Sequence, residues 1–200
     1  MVEIKLFNKW DVSKIEVKDP GLKNYINLKP VIVPRISHGR HSKKKFYKSE
    51  VNIVERLMNH LFVSGHRGKK HKLTSGHFAG KSMTAYSIVK ECFEIIERKM
   101  KKNPVEVLVR AIENAALREE VSSYQVGSII ARKAVVTAPQ RRVDLALRYF
   151  AQGAYKRSFK SKKSMAQALA EEIIAAYNNS KESMAIAEKE RVEREAEGAR

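Results

Sequence analysis

The sequence predicts a mainly α-helical fold: a bundle of about six helices, a β-hairpin projecting between the third and fourth, and an extended N-terminal arm. Three observations carry this. From residue 50 onward, apolar residues recur at three- and four-residue intervals, the period of one helical face. Between Arg118 and Pro139 that period gives way to β-branched and aromatic runs on either side of Gly127-Ser128. Before residue 50 neither period holds, and Pro20, Pro30 and Pro34 interrupt the chain.

Taken in order, residues 1–34 hold short apolar runs such as Val31-Ile32-Val33 and read as an extended segment with room for a short helix or strand. Residues 35–49, with Arg40, Lys43, Lys44 and Lys45, have too little apolar surface to bury alone. Residues 1–49 are therefore expected to form an arm that is mobile in the free protein. Val51, Val54, Leu57, Met58 and Leu61 mark the first helix, which Gly65 and Gly68 end. Residues 65–81 read as a loop rich in Gly, Lys and His. Ala85, Ile88, Val89, Cys92, Phe93 and Ile96 mark a longer helix to about Met100. Asn103-Pro104 starts the third, with a capping side chain, Pro at the first helical position and Glu106 three residues after the cap.

Val121 to Val126 and Ile129 to Val136 predict the hairpin, at about 119–137. Pro139 then opens a helix with Val143, Ala146, Leu147, Phe150 and Ala154 on one face. Ser164 and Gln167 form a capping box before Leu169, Ile173 and Tyr177. The tail from Ser183 is alternately charged and helix-prone, which reads as solvent-exposed. The organisation is thus an arm over 1–49, a helical body over 50–180 and a charged C-terminal helix or tail over 181–200.

Charge narrows the function classes. Lys+Arg outnumber Asp+Glu by 40 to 22 in 200 residues, a net charge of +18. A field of that size attracts polyanions, and nucleic acid is the partner that suits it. The charge is also concentrated. Residues 35–81 hold twelve of the basic residues against Glu50 and Glu55, and all six histidines. Cys92 is the single cysteine, so no disulfide forms within the chain, and its place in an apolar helical pattern reads as core. No run of 18 apolar residues exists and the first ten residues lack the apolar core of a signal peptide, so a cytoplasmic protein without membrane contact is expected.

The motifs argue against chemistry. Gly76-His77-Phe78-Ala79-Gly80-Lys81-Ser82 looks like a phosphate-binding loop, but has three residues between its glycines where that motif needs four, and no strand precedes it. Its backbone N–H groups and Lys81 still suit an RNA phosphate. His66, His71 and His77 have no common zinc spacing, so no metal is expected. The consecutive acids Glu119-Glu120 and Glu171-Glu172 point apart on any regular element and read as surface carboxylates. Neither an enzyme nor a cofactor is expected. The helix around 141–157 is the informative one. Arg141, Arg148 and Tyr155 recur every seven residues, and Arg142, Tyr149 and Lys156 repeat the pattern alongside. Arg forks phosphate and Tyr stacks on bases. Arg157, Lys160, Lys162 and Lys163 continue the basic surface, and Arg132 and Lys133 lead into it from the hairpin.

These residues resemble a known family. Asn103-Pro104-Val105-Glu106-Val107-Leu108 with Ala111-Ile112-Glu113-Asn114 is similar to a helix of the universal small-subunit ribosomal protein S-seven family, whose eukaryotic members are named S-five. Arg118-Glu119-Glu120, Ala134-Val135 through Pro139, Arg141-Arg142-Val143 and Leu145-Ala146-Leu147-Arg148 resemble its hairpin and the helix that follows. Phe7-Asn8-Lys9-Trp10, Ile53-Val54-Glu55-Arg56-Leu57-Met58, Gly68-Lys69-Lys70 and the terminal Ala185 to Arg200 resemble the archaeal and eukaryotic branch. The resemblance covers nearly the whole chain. It implies a structural constituent of the small subunit that binds the 3′ major domain of its RNA and nucleates head assembly. It implies Arg40, Lys69, Lys70, Lys81, Arg132, Arg141, Arg142 and Arg148 as RNA contacts, to which charge and position add Lys43, Lys44, Lys45, Arg67, Lys72, Lys133, Lys156 and Arg157. It further implies that the hairpin tip, Tyr124, Gln125, Val126, Gly127 and Ser128, meets tRNA, mRNA or a neighbouring ribosomal protein, with no homo-oligomer. The hairpin here has less Arg and Gly than the family's, and Ala138 stands where the family usually places a capping Ser. A DNA-bending architectural protein or a generic RNA binder is the competing reading.

Overall fold

The computed structural model describes residues 4–35, 37–67, 70–71 and 77–200. Among them lie six α-helices: α1 (Ile53–Leu61), α2 (Ser82–Met100), α3 (Pro104–Ala115), α4 (Pro139–Ser158), α5 (Met165–Tyr177) and α6 (Met184–Glu197). Between α1 and α2 a minimal antiparallel ribbon pairs β1 (His66–Arg67) with β2 (Lys70–His71). The predicted loop 65–81 thus contains some pairing. The hairpin β3 (Glu119–Val126) and β4 (Ile129–Val136) stands between α3 and α4, as expected.

Four of the helix starts have a local cause. The Asn52 side chain accepts from the Val54 N–H, and that of Asn103 from the Val105 N–H, ahead of Pro104 at the first helical position. Ser164 and Gln167 form the reciprocal capping box at α5. Ala138 gives α4 no side-chain cap; Pro139 alone presets its first turn.

The core is built around α5. Ala166, Ala168, Leu169, Ala170, Ile173 and Ala176 are all buried, and the helix packs against α2, α3 and α4. A helix apolar on nearly all sides belongs at the centre, and its alanines let three neighbours approach closely.

Two expectations change. The N-terminal residues do not run free. Leu6, Phe7, Trp10, Val12, Leu22 and Ile26 are buried in the same core as the helices. Phe7 and Trp10 meet edge to face with centroids 5.6 Å apart, and Trp10 meets Phe93 of α2 at 5.6 Å. Burial of such rings is worth far more than the helical propensity this segment lacks. The C-terminal tail is likewise docked rather than solvated: α6 buries Ala185, Ile186 and Ala196 and lies against α4 and the hairpin base.

Glu172 corrects the surface reading of the paired acids, because it is fully buried. Its Oε1 accepts from the Ser183 hydroxyl at 2.8 Å and the Ala185 N–H at 3.2 Å, so a carboxylate on α5 caps the start of α6. Arg157 of α4 balances its charge at 3.1 Å. Burial pushes the Glu172 carboxyl up from its ordinary pKa, and the bonds from Ser183 and Ala185 and the charge of Arg157 offset this only in part.

Candidate nucleic-acid interface

The basic segment 37–50 contains two 3-10 turns, Arg40–Ser42 and Tyr47–Glu50. Arg40, Lys43, Lys44 and Lys45 are exposed and make no ion pair among the described residues. The segment is fastened at both ends. At one, the Ser37 N–H and hydroxyl donate to the buried Glu55 carboxylate at 3.0 and 2.5 Å. At the other, Lys48 pairs with Asp144 of α4 at 2.8 Å. The chain therefore presents its densest run of cations from fixed anchors.

Asp144 is the hub of a cluster that sequence reasoning missed. Its other oxygen takes the Arg56 guanidinium at 2.9 Å, with His60 at 3.7 Å. Arg56 also donates to the Tyr25 carbonyl at 2.6 Å, tying the N-terminal segment to α1. Burial opposes ionisation of Asp144, but His60, Lys48 and Arg56 more than compensate and hold its carboxyl well below the usual carboxylate range. Burial pushes the His60 imidazole below its ordinary pKa, against the pull of Asp144. The available signal was the pair of i,i+4 steps, Arg56/His60 on α1 and Asp144/Arg148 on α4.

Along α4, the residues expected to contact RNA divide into two groups. Arg148 and Lys156 are exposed and without an ion pair among the described residues. Arg141, Arg142 and Arg157 have internal partners. Arg141 forks the Glu120 carboxylate at the hairpin base, with two bonds of 2.7 Å. Arg142 donates to the Leu117 carbonyl at 3.1 Å and to Asp19 at 2.9 Å. Arg157 serves Glu172 and also donates to the Glu182 carbonyl. Tyr149 and Tyr155 are half-buried, Tyr155 stacked on Phe159 at 6.0 Å, so neither ring is fully open to a base.

The hairpin carries Arg132 and Lys133, both exposed, opposite Ser123 and Ser122 in register and hence on opposite faces of the ribbon. All five tip residues, Tyr124 to Ser128, are exposed. Gly127 has φ +60°, the positive value required at the first central residue of a type II′ turn, and the Gln125 amide donates to its carbonyl. Lys81 is exposed at the start of α2. Arg67 and Lys70 are register partners across β1 and β2. Lys69, Lys72 and Gly76 lie outside the described residues. Among the described residues, no group of three His, Cys, Asp or Glu side chains is placed to hold a metal, and no helix is long and apolar enough to cross a membrane.

The family model for ribosomal protein S7p/S5e matches residues 22–200. The chain belongs to that family. Relatives named small ribosomal subunit protein uS7 agree along its whole length. The protein of Nanoarchaeum equitans is 52% identical, covering 100% of both chains. That of Archaeoglobus fulgidus is 51% identical over 99% of this chain and 96% of its own. That of Methanothrix thermoacetophila is 49% identical over 98% of this chain and 100% of its own. These similarities place the chain with the archaeal members of the family, and its helical body with a hairpin between α3 and α4 is the architecture the resemblance implied.

Proposed function

We propose that the protein is a structural constituent of the small ribosomal subunit in the cytoplasm, without chemistry of its own. It binds the 3′ major domain of small-subunit rRNA and nucleates assembly of the subunit head. Other small-subunit proteins are its further partners, and the hairpin tip reaches toward the exit-site tRNA and mRNA path. The observation that carries this reading is the full-length match to small-subunit proteins uS7. The charge arrangement supports it. Glu50 and Glu55 are the only acids among residues 35–81. Glu55 is committed to Ser37, which leaves Arg40, Lys43, Lys44 and Lys45 for phosphate.

The deciding experiment compares affinity for the 3′ domain of small-subunit rRNA with affinity for an unrelated folded RNA of equal length, at low and high salt. Salt weakens RNA binding by any basic protein, so the ratio between the two RNAs is the signal. A preference that survives high salt is expected. Equal, salt-labile binding to both would leave only a generic polyanion binder.

A further inference from the structure

Where α1 meets α4, Arg56 and His60 face Asp144 and Arg148, each pair one helical turn apart. Lys48 and His41 come over from the two 3-10 turns. Arg56, Asn59, His60, Arg148, Lys48 and His41 line a cavity of about 280 Å³, with Asp144 behind them, bonded to Arg56 and Lys48. Three permanent cations, Lys48, Arg56 and Arg148, and two imidazoles share this lining, and the one carboxylate that pairs with any of them among the described residues is Asp144, through Lys48, Arg56 and His60.

Asp144 does not use up the donors. It takes one terminal nitrogen of Arg56 and the Lys48 ammonium, and the Tyr25 carbonyl takes the other Arg56 terminal nitrogen. The Arg56 Nε is buried and has no hydrogen-bond partner among the described residues, nor has the buried His41 Nδ1. Arg56 has only 1% of its side chain exposed. An unpartnered guanidinium N–H at that depth is costly and is ordinarily satisfied. Exposure then rises outward: His60 is 14% exposed, Lys48 37%, and Arg148 is open to solvent with no partner among the described residues. The lining is a set of donors of graded exposure carrying a net positive charge, and its most buried member, Arg56, still has one unpartnered N–H.

Resting on the RNA-binding reading above, we propose that this cavity is a phosphate subsite that takes one phosphodiester of the RNA backbone. Arg148 and Lys48 receive it at the mouth, with His60 and Arg56 deeper. A tetrahedral anion offers several acceptor oxygens to donors converging from different elements, and the site supplies donors from α1, α4 and both 3-10 turns. Occupancy therefore adds a second bridge between the basic segment and the helical body, beside the existing Lys48–Asp144 pair.

The test uses the full chain and Arg148→Ala, chosen because Arg148 has no ion-pair or hydrogen-bond partner to lose among the described residues. Affinity for the 3′ domain RNA is expected to fall about 5- to 20-fold. The slope of log affinity against log salt is expected to shrink by about one contact, with the melting temperature unchanged. Asn59→Asp, which adds a carboxylate to the same wall, should weaken binding similarly by repulsion. It guards against a misleading fold effect in the first variant. In a parallel arm, inorganic phosphate is titrated into the RNA-free protein while the Arg56 Nε–H and His60 resonances are followed. Both are expected to shift in the wild type and much less in Arg148→Ala. If wild-type RNA binding is selective but both variants keep its affinity and salt slope, the subsite proposal is overturned while the RNA reading stands. Phosphate shifts without any RNA effect would make it an anion site that RNA does not use, and would also overturn the proposal. Loss of selectivity in the wild type itself would instead strike the RNA reading.

Discussion

Arg56 shows why side-chain identity alone is a poor guide to role. It is a cation in a strongly basic protein, yet it holds Asp144 and the Tyr25 carbonyl from a buried position. Removing one partner of a buried pair costs about 3–5 kcal/mol where the other charge is left uncompensated, and the Lys48 that still pairs with Asp144 puts the loss here toward the lower end. Arg56→Met is expected to lower stability to denaturant by that order, whereas Lys44→Ala, on an exposed and unpaired cation, should leave it unchanged within about 0.5 kcal/mol. Equal melting curves for the two variants would contradict this. Asp144 also sets a pH dependence. Its folded pKa is depressed, so its contribution is present above the unfolded value of about 3.9. It is lost as pH falls from there toward the lower folded pKa. Glu172 has the opposite sign, because its raised folded pKa makes it least favourable above that value. Asp144→Asn should therefore flatten the acid limb of the stability profile below about pH 4, and Glu172→Gln should not. Gly153 belongs to the same residue scale. A Cβ there would sit 2.7 Å from the Glu172 carboxyl carbon. Gly153→Ala gains up to about 1 kcal/mol of helix propensity, but displaces the buried carboxylate that caps α6. A lower melting temperature is expected, and an increase would show that Glu172 can yield freely.

At the scale of elements, the hairpin beyond its base is nearly independent of the bundle. β3 and β4 pair with each other, and residues 122–130 are all exposed. The base is tied down, by Arg141 to Glu120, by Arg200 to Glu119 and by packing against α6. Replacing residues 122–133 with a two-residue turn should leave the melting temperature within a few degrees, while removing whatever the tip contacts on the ribosome. A large loss of stability would mean that the ribbon supports the core. This division also explains what was legible in the sequence. The helices and hairpin announce themselves because periodicity is local: Val105, Leu108 and Ile112 reveal a face without reference to any partner. Leu6, Phe7 and Trp10 have no period, and the rings of Phe7 and Trp10 pack on Tyr86 and Phe93, about eighty residues away. The α6 tail reads as solvated because its buried set is small, mainly Ala185, Ile186 and Ala196. Among candidate RNA contacts, the excess of cations was visible. Which arginines are already committed was not, because Asp19, Glu120 and Glu172 reach them only through tertiary structure.

At the scale of the whole molecule, charge works in two opposed ways. The free protein carries +18, and like charges held at fixed distances on one body repel each other and disfavour the compact state. Many of its acids are already used at contact range: Glu94 by Lys9, Asp144 by Arg56 and Lys48, Glu171 by Lys163, and Glu188 by Arg191. Those pairs are much shorter than the Debye length, which is about 10 Å at 0.1 M salt, so added salt weakens them least. The repulsion among Arg40, Lys43, Lys44, Lys45 and the cations of the hairpin and α4 acts over longer distances and is screened more. Raising sodium chloride from about 0.05 to about 0.3 M is therefore expected to raise the melting temperature of the free protein. The same ions compete for the phosphate contacts and weaken the complex, so the extra stability conferred by bound RNA should shrink over that range. Thermal melts of the free and RNA-bound protein across a salt series measure both effects at once. A free-protein melting temperature that falls steadily with salt would mean that the short ion pairs, rather than the long-range repulsion, dominate the electrostatics of this fold.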